Sequence, residues 1–194
     1  GTTNQYWRYT ASGPNWETIG ASATLDRLAK TTLAATAATV DFTSVSAAYS
    51  ALMITAYVRT STAVVNDNLI LRLGTAATID AGVNYNSQTD YGSAATASSL
   101  EQLSVSSPTI ALVPGSSGVA NHYASVTIIL PNYTATTFKT WTSEWMSAAG
   151  SGSGNNAAGN HGGTWKATTA VDMIRLMSAG NFSVGSVFVL YGIP

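Results

Sequence analysis

Three tryptophans in the second half of the chain have the spacing of a ligand-binding platform. Trp141 and Trp145 lie four residues apart in the segment 138–145, so an extended strand places both rings on one face, and Trp165 follows a glycine-rich segment. Flat rings beside Asn and Thr can stack on a glycan. The same rings can instead fill the core, where tryptophans usually become largely buried. Both interpretations stay open from sequence, and the core interpretation is favoured.

Groups that transfer protons are sparse. The two histidines are His122, in "ANHYAS" at the start of a predicted strand, and His161, inside the glycine-rich segment, and both are expected to be solvated loop residues. A glycosidase needs two carboxylates about 5–10 Å apart, whereas the nine acidic residues are spread along the chain. The run "GSGSG" imitates Gly-x-Ser-x-Gly but lies in a predicted loop rather than between a strand and a helix. The sequence therefore predicts no catalytic residues and no enzyme.

Metal and cofactor signals are equally weak. Asn66, Asp67 and Asn68 in "VNDNLI" offer oxygen ligands for calcium, but the glycine and distal glutamate of an EF-hand loop are missing. The chain has no cysteine, which excludes disulfides and thiolate metal sites. Neither phosphate-binding glycine pattern occurs between a strand and a helix. We therefore expect neither a metal nor a cofactor.

The charge content of the chain is unusually low. Only 9% of residues are Asp, Glu, Lys or Arg, against about 25% in ordinary soluble domains. The net charge of −1 gives no basic surface for nucleic acid. No apolar run approaches the roughly 18 residues of a membrane span, and no signal-peptide pattern opens the chain. A surface that repels its neighbours weakly suits a crowded, permanent assembly, although compositional bias alone explains the same numbers.

Alternating apolar residues indicate an all-β fold. In "YSALMITAYVRT", Leu52, Ile54, Ala56 and Val58 fall on one face of a predicted strand. Similar strands are predicted in the segments 39–45, 68–74, 123–131, 138–145, 171–178 and at the C-terminus. About seven or eight strands separated by turn-rich loops, with no βαβ unit, predict an antiparallel β-sandwich that is jelly-roll-like. We expect residues 21–194 to form this single domain.

Two segments are predicted to be long loops. Residues 74–99 are polar, and residues 149–164 are glycine-rich and flexible by composition. Residues 24–38 allow a helical interpretation, which their threonines and missing caps weaken.

Residues 1–20 are predicted to form an aromatic arm. Tyr6, Trp7, Tyr9 and Trp16 lie in a segment with neither helical nor strand periodicity. Leaving such rings in water is unfavourable, so we expect them to dock. They either cover one end of the core of this chain or anchor it to a partner protein.

The C-terminal segment "NFSVGSVFVLYGIP" is apolar on both faces. Phe188 and Leu190 point to one side of the predicted strand, and Val187, Val189 and Tyr191 point to the other. One face should form the core. Leaving the second face in water forfeits roughly 1.5–3 kcal/mol for each large apolar side chain, so loops of this chain or a neighbouring subunit should cover it. The three residues of the second face are therefore the candidate self-association residues.

Motifs spread over most of the chain resemble a widespread type of tailed-bacteriophage structural protein. A Thr/Ala-rich lead strand is followed by a Tyr-x-x-Leu strand that ends in Arg, a polar connection with Asp, a Leu-Arg strand that ends in Gly, and an Asn-Tyr pair. The segment "LPNYTATTFKTWTSEW", a "GGTW" step and the ending "GSxFxLYGI" follow, and the ending is the most specific element. The matching residues include Tyr49, Leu52, Arg59, Asp67, Leu71, Arg72, Gly74, Asn84, Tyr85 and Gly162 to Trp165.

The resemblance implies a virion component with a β-sandwich or jelly-roll fold and no enzymatic activity. We expect a capsid decoration or head-fibre subunit that assembles with copies of itself, as a trimer, and with other virion proteins such as the major capsid protein. The alternative is a tail-associated receptor-binding module that uses its loops and the three tryptophans on host glycans. The family commonly has a compact Asn-Gly-Asp turn. Here the connection is longer and its acid is Asp80, so a ligand role for that turn does not carry over.

Overall fold

The regular elements in the described part of the chain are all strands. The computed structural model describes residues 5–10, 13–18, 24–94, 96–150 and 155–194, and for 5–10 and 14–18 only the backbone. No helix occurs in these ranges. The strands are β1 (Gln5–Thr10), β2 (Gly13–Thr18), β3 (Asp26–Thr32), β4 (Ala37–Phe42), β5 (Ala51–Val58), β6 (Asn66–Thr75), β7 (Thr78–Ile79), β8 (Tyr85–Ser93), β9 (Thr96–Val105), β10 (Thr109–Pro114), β11 (Ala124–Pro131), β12 (Lys139–Ala148), β13 (Asn156–Trp165), β14 (Met173–Phe182) and β15 (Val187–Ile193).

Two antiparallel sheets pack face to face. The large sheet has eight strands in the order β3-β15-β5-β11-β12-β13-β8-β9, and the small sheet has the order β10-β6-β14-β4 with the short β7 beside β6. The chain crosses repeatedly between the sheets, as from β3 to β4 and from β5 to β6, which is typical of jelly-roll-like sandwiches. The predicted all-β antiparallel sandwich is confirmed.

The core lies between the two sheets and follows the predicted alternation. Leu52 and Ile54 of β5 are buried, as is Leu71 of β6 on the facing sheet. The Oγ of Ser143 in β12 donates a hydrogen bond of 2.6 Å to the carbonyl of Ile110 in β10, which joins the sheets. A polar link of this kind fixes the two layers relative to each other, because its partners are buried.

The glycine-rich segment is a strand rather than the predicted flexible loop. β13 lies between β12 and β8 in the large sheet, and residues 151–154 before it are outside the described ranges. Gly159 and Gly163 of β13 face inward, where the indoles of Trp145 and Trp141 occupy the space of a side chain. Because such small residues give no apolar alternation, periodicity did not reveal this strand.

The two other local predictions are corrected in the same way. Residues 74–99 hold β7, β8 and the start of β9 instead of a long loop. The segment with a helical interpretation forms β3 and the start of β4. In β8 the buried positions alternate as in any strand, but they are mostly polar: Ser87 and Thr89 are buried. A polar strand interior is invisible to a search for alternating apolar residues.

The N-terminal segment forms a β-hairpin although its sequence has no strand period. β1 and β2 pair antiparallel in a two-stranded sheet of their own, with Trp7 opposite Trp16. Gly13 has a φ of +104° at the start of β2, a conformation that favours glycine. The side chains of Tyr6, Trp7, Tyr9 and Trp16 lie outside the described part, as does the boundary between residues 20 and 21, so docking of the arm stays a prediction.

Candidate functional site

One face of the large sheet carries a partly exposed apolar ridge. This outer face is the one turned away from the small sheet. Val187, Val189 and Tyr191 of β15 lie on it and are half-buried, whereas Phe188 and Leu190 are buried in the core. The predicted alternation of the C-terminal strand is thus confirmed, and its second face keeps apolar surface in water. We call Val187, Val189 and Tyr191 the ridge.

Apolar side chains on the neighbouring strands continue the ridge. Tyr191 lies opposite Met53 of β5, which in turn lies opposite Ile129 of β11. Further along β5, Tyr57 is 49% exposed. Its ring stacks on Tyr123 with 4.5 Å between ring centroids, which holds this exposed aromatic in place. The line of residues through Tyr191 is therefore apolar as far as β11, whereas the line through Val189 continues with Thr55 and Thr127.

A shallow trough runs along β13 on the same face. Its floor consists of the small outward residues Ala158, Asn160 and Gly162, between longer side chains on β12 and β8. A space of about 720 Å³ lies over part of the trough and extends across β12 to Thr127 and Ile129 of β11. Its walls include Gln88, Asp90, Thr142 and Glu144. A Cβ on Gly162 would meet a single atom within 4 Å, the carbonyl oxygen of Trp141 at 4.0 Å, so the glycine leaves open space. Sequence reasoning missed the trough because it treated β13 as a loop.

Charges on the outer face are separated by sign. Lys30 and Arg27 of β3 lie at one edge of the large sheet, beside the ridge. Asp90, Glu144 and Glu101 lie towards the other edge, on β8, β12 and β9. All five side chains are exposed, and none forms an ion pair within the part of the chain that the structure describes. The face is therefore basic at one end and acidic towards the other.

The tryptophans of the predicted glycan platform are buried. Trp141 is 1% exposed, Trp145 4% and Trp165 2%. Trp141 packs on Gly163 and meets Tyr85 edge-on, and Tyr85 stacks on Trp165. The platform interpretation is wrong for these three residues, because inward-facing glycines on β13 make room for indoles inside the sandwich. The core interpretation is the one that the structure supports.

His161 lies in the core, so the prediction of a solvated loop residue is wrong for it. It points inward from β13 between Ser143 and Thr89 and is 2% exposed. Neither ring nitrogen has a hydrogen-bond partner among the described residues. Burial lowers the pKa of His161 from 6.5 to about 4, so the ring is neutral at pH 7. The other histidine, His122, is half-buried in the loop before β11.

Asp80 organises a turn. Its carboxylate accepts hydrogen bonds from Trp165 Nε1 at 2.7 Å, Asn84 Nδ2 at 2.8 Å and Gly82 N at 2.7 Å. Burial raises the pKa of Asp80, but the hydrogen bonds outweigh it and hold the pKa below its ordinary 3.8. The hydroxyl of Tyr85 also donates to the Asp80 carbonyl at 2.9 Å. The turn is thereby fastened to the end of β13, a role that the sequence alone did not reveal.

Two buried cations bind main-chain carbonyls. Arg59 donates from Nη1 to the carbonyls of Val119 at 2.6 Å and His122 at 3.0 Å, and from Nη2 to that of Gly118 at 2.9 Å. Lys139 donates to two carbonyls of the preceding loop at 2.6 Å each, and burial lowers its pKa. Both side chains close loops at strand ends, which is a structural role.

The acidic residues follow two patterns. Asp41 pairs with Arg175 at 2.6 Å in the small sheet. Asp90 and Glu144 lie in one row of the outer face with Asn160 between them, so their Cα atoms are about 10 Å apart at the usual strand spacing. The sequence could not show this second relationship, because it depends on which strands are neighbours.

Metal and membrane features are limited in the described ranges. No group of three His, Cys, Asp or Glu residues there is placed to hold a metal ion. The carboxylate of Asp67 accepts from Thr62 Oγ1 at 2.5 Å and from the Asn68 amide at 2.8 Å, so protein donors occupy the candidate calcium ligand. No helix of membrane-spanning length and apolarity is found among the same residues.

Comparison with known proteins identifies no family. No protein-family model matches the chain, and no curated protein matches its sequence. Among solved structures, a fructofuranosidase variant from Schwanniomyces occidentalis, complexed with fructosylnystose, is similar over 97% of this chain at 4% sequence identity and a TM-score of 0.15. The chain spans 39% of the length of that protein. A similarity this low supports no conclusion about fold or activity.

Proposed function

We propose that the chain is a non-enzymatic structural subunit of a tailed-phage virion, a capsid decoration or head-fibre protein that acts by assembly on the particle surface. The observation that carries this proposal is the apolar ridge on the outer face, where Val187, Val189 and Tyr191 are only half-buried. Exposed apolar surface costs free energy in a monomer, and contiguous patches mark protein–protein sites. The motifs that resemble phage structural proteins support the same function.

The charge content favours an assembled state. Because only 9% of the residues are charged, electrostatic repulsion between crowded copies is weak. The expected partners are copies of the chain and other virion proteins such as the major capsid protein. The aromatic hairpin with Tyr6, Trp7, Tyr9 and Trp16 is the candidate anchor to the particle, since it forms a sheet separate from the sandwich.

The test is to locate the chain in purified particles of the phage that encodes it. Quantitative mass spectrometry should find many copies per particle, and gold-labelled antibody should mark the head surface in electron micrographs. A non-structural phage enzyme from the same lysate serves as the control for carry-over. A chain that is abundant in infected cells but no more enriched in particles than this control would contradict the proposal.

The second candidate is a tail-associated receptor-binding module for host glycans, and the trough favours it. Gln88, Asp90, Glu144 and Asn160 present amide and carboxylate groups that can hydrogen-bond to sugar hydroxyls. Since the tryptophans are buried, such a module would bind through this trough rather than by stacking. Glycan-array binding that Asn160→Ala abolishes, together with antibody label on the tail, would favour this candidate over the head protein.

A further inference from the structure

We infer that the outer face of the large sheet pairs with the same face of a second copy of the chain, about a two-fold axis that runs along β11. This inference rests on the proposed function and names the partner of the ridge. Three features of the face carry it: the ridge, the trough and the separated charges.

The ridge and the trough lie at equal distances from β11. β15 is two strands to one side of β11, with β5 between, and β13 is two strands to the other side, with β12 between. A two-fold axis above β11 and parallel to it exchanges the two sides. The ridge of each copy then faces the trough of the other, so one operation makes the contact twice. At the usual strand spacing each feature lies about 10 Å from the axis.

The residues brought together are complementary in size. In the row of Tyr191, the position two strands beyond β11 is Gly162, where no side chain fills the trough. The ring of Tyr191 therefore has space to enter, and Ile129 meets its own copy on the axis. Two rows away, in the row of Val187, Tyr57 arrives at Met146, and these side chains are 49% and 46% exposed. Sulfur–aromatic contacts of this kind are favourable.

The charged residues on the outer face favour an axis parallel to the strands over one perpendicular to them. Lys30 and Asp90 lie in one row, that is, in one line of paired residues that crosses the strands. Lys30 is three strands from β11 on one side, and Asp90 is three strands from it on the other. The two-fold operation therefore sets Lys30 of each copy on Asp90 of the other, and it brings Arg27 to Gln88, beside Glu101. An axis perpendicular to the strands would instead set basic edge on basic edge and acidic edge on acidic edge, which is repulsive. An axis parallel to β11 keeps β11 and its copy parallel, within the roughly 30° by which the strands of aligned sheets differ, and the edge charges meet through their flexible side chains.

The face is large enough for a stable pair. An eight-stranded sheet has seven strand intervals, so strands of about seven residues give a face of about 34 Å by about 23 Å, on the order of 800 Å² per copy. That is the usual contribution of one partner to a specific interface, roughly 800 Å². A two-fold pair is closed with two copies, which differs from the trimer expected from the resemblance.

The first test is the mass of the full chain in solution. Sedimentation velocity over a concentration series should show a dimer for the wild type and a monomer for Val189→Asp, which places a carboxylate on the ridge. The matched control is Val64→Asp, since Val64 is 40% exposed and lies in the loop that leads from β5 into β6 of the small sheet; this variant should stay dimeric. A wild type that is monomeric or trimeric at every concentration overturns the inference, as does a dimer that Val189→Asp leaves intact.

The second test reverses the charges. Lys30→Glu and Asp90→Lys should each weaken the dimer by about tenfold, because symmetry places each like-charge contact twice in the interface. The double variant should recover most of the wild-type affinity, since it only exchanges the two signs. A double variant as weak as the singles overturns the two-fold assignment.

The outcomes also separate this inference from the proposed function. A monomeric chain that is nevertheless enriched in purified particles contradicts the pairing and leaves the virion role intact. A chain that is dimeric in solution but missing from particles supports the pairing and contradicts the virion role. A monomer whose trough binds glycans contradicts the pairing and favours the receptor-binding module.

Discussion

The indole of Trp141 packs directly on Gly163, and no side chain larger than hydrogen fits between them. The two residues lie opposite each other on β12 and β13, facing the core. A Cβ on Gly163 would overlap the ring at Cζ2 and Cε2. A Cβ on the adjacent Gly162, which faces outward, would meet only one atom within 4 Å. Two neighbouring glycines thus have opposite tolerance for a methyl group.

Alanine substitutions at these glycines should differ sharply in stability. Gly163→Ala forces the indole from its place, and such overpacking costs about 1–3 kcal/mol. Gly162→Ala is the matched control and should stay within about 0.5 kcal/mol of the wild type when both are measured at concentrations at which they are monomeric. Thermal unfolding measures both, since each kcal/mol lowers Tm by about 2–4 °C in a chain of this size. Equal Tm values for the two variants would show that Trp141 does not pack on Gly163.

The burial of His161 should make stability depend on pH between about 4 and 6.5. The pKa of His161 is lowered to about 4 in the folded chain from an ordinary 6.5, so the unfolded chain binds this proton more tightly. Stability is therefore fully present above pH 6.5 and is lost as the pH falls towards 4. The loss from this one group amounts to about 3 kcal/mol over that window.

Replacing His161 isolates its contribution. His161→Leu loses no hydrogen bond, because neither ring nitrogen has a partner in the described residues, so it should be about as stable as the wild type at pH 7 and more stable than it at pH 5. His122→Leu is the matched control, since it removes the only other histidine of the chain. Urea unfolding at several pH values gives the comparison. If the wild type and His161→Leu lose stability equally between pH 6.5 and pH 4.5, His161 is not the group responsible.

Sequence patterns predicted the strands whose inward residues are apolar and whose outward residues are polar. β5 is the clearest example, because Leu52, Ile54 and Val58 report the buried face directly. Patterns failed for β13 and β8. On the inward side of β13, the indoles of β12 lie where side chains of Gly159 and Gly163 would be. The apolar residues that fill this part of the core therefore belong to β12, and β13 itself shows no apolar alternation.

The candidate site was likewise predicted only in part from the sequence. Alternation identified the ridge, because Val187, Val189 and Tyr191 follow one another along a single strand. The trough and the charge separation depend on strand order, which local sequence does not encode. Lys30 lies on one edge strand and Asp90 on the strand next to the opposite edge, and five strands separate them.

The hydrogen bond from Trp165 to Asp80 should stabilise the turn before β8. Hydrogen bonds to charged groups contribute about 1.5–3 kcal/mol, and partial exposure of Asp80 places the expected cost of Asp80→Asn near the lower end. Trp165→Phe keeps the buried ring and removes only the Nε1 donor of the 2.7 Å bond. A double-mutant cycle of these two variants, measured by urea unfolding, should give a coupling of about 1 kcal/mol. Strictly additive costs would mean that the bond contributes no stability.

Deleting residues 1–20 should leave the sandwich folded but stop its incorporation into particles. β1 and β2 pair with each other in a separate sheet, so the deletion breaks no ladder of the large or small sheet, and the Tm should change little. Binding is measured by adding the truncated chain to particles that lack the protein and quantifying what sediments with them. Trp7→Thr together with Trp16→Thr is the matched variant, because Thr favours strands and only the rings are lost. If the truncated chain binds particles normally and its Tm falls instead, the arm covers the core of its own chain and does not anchor it.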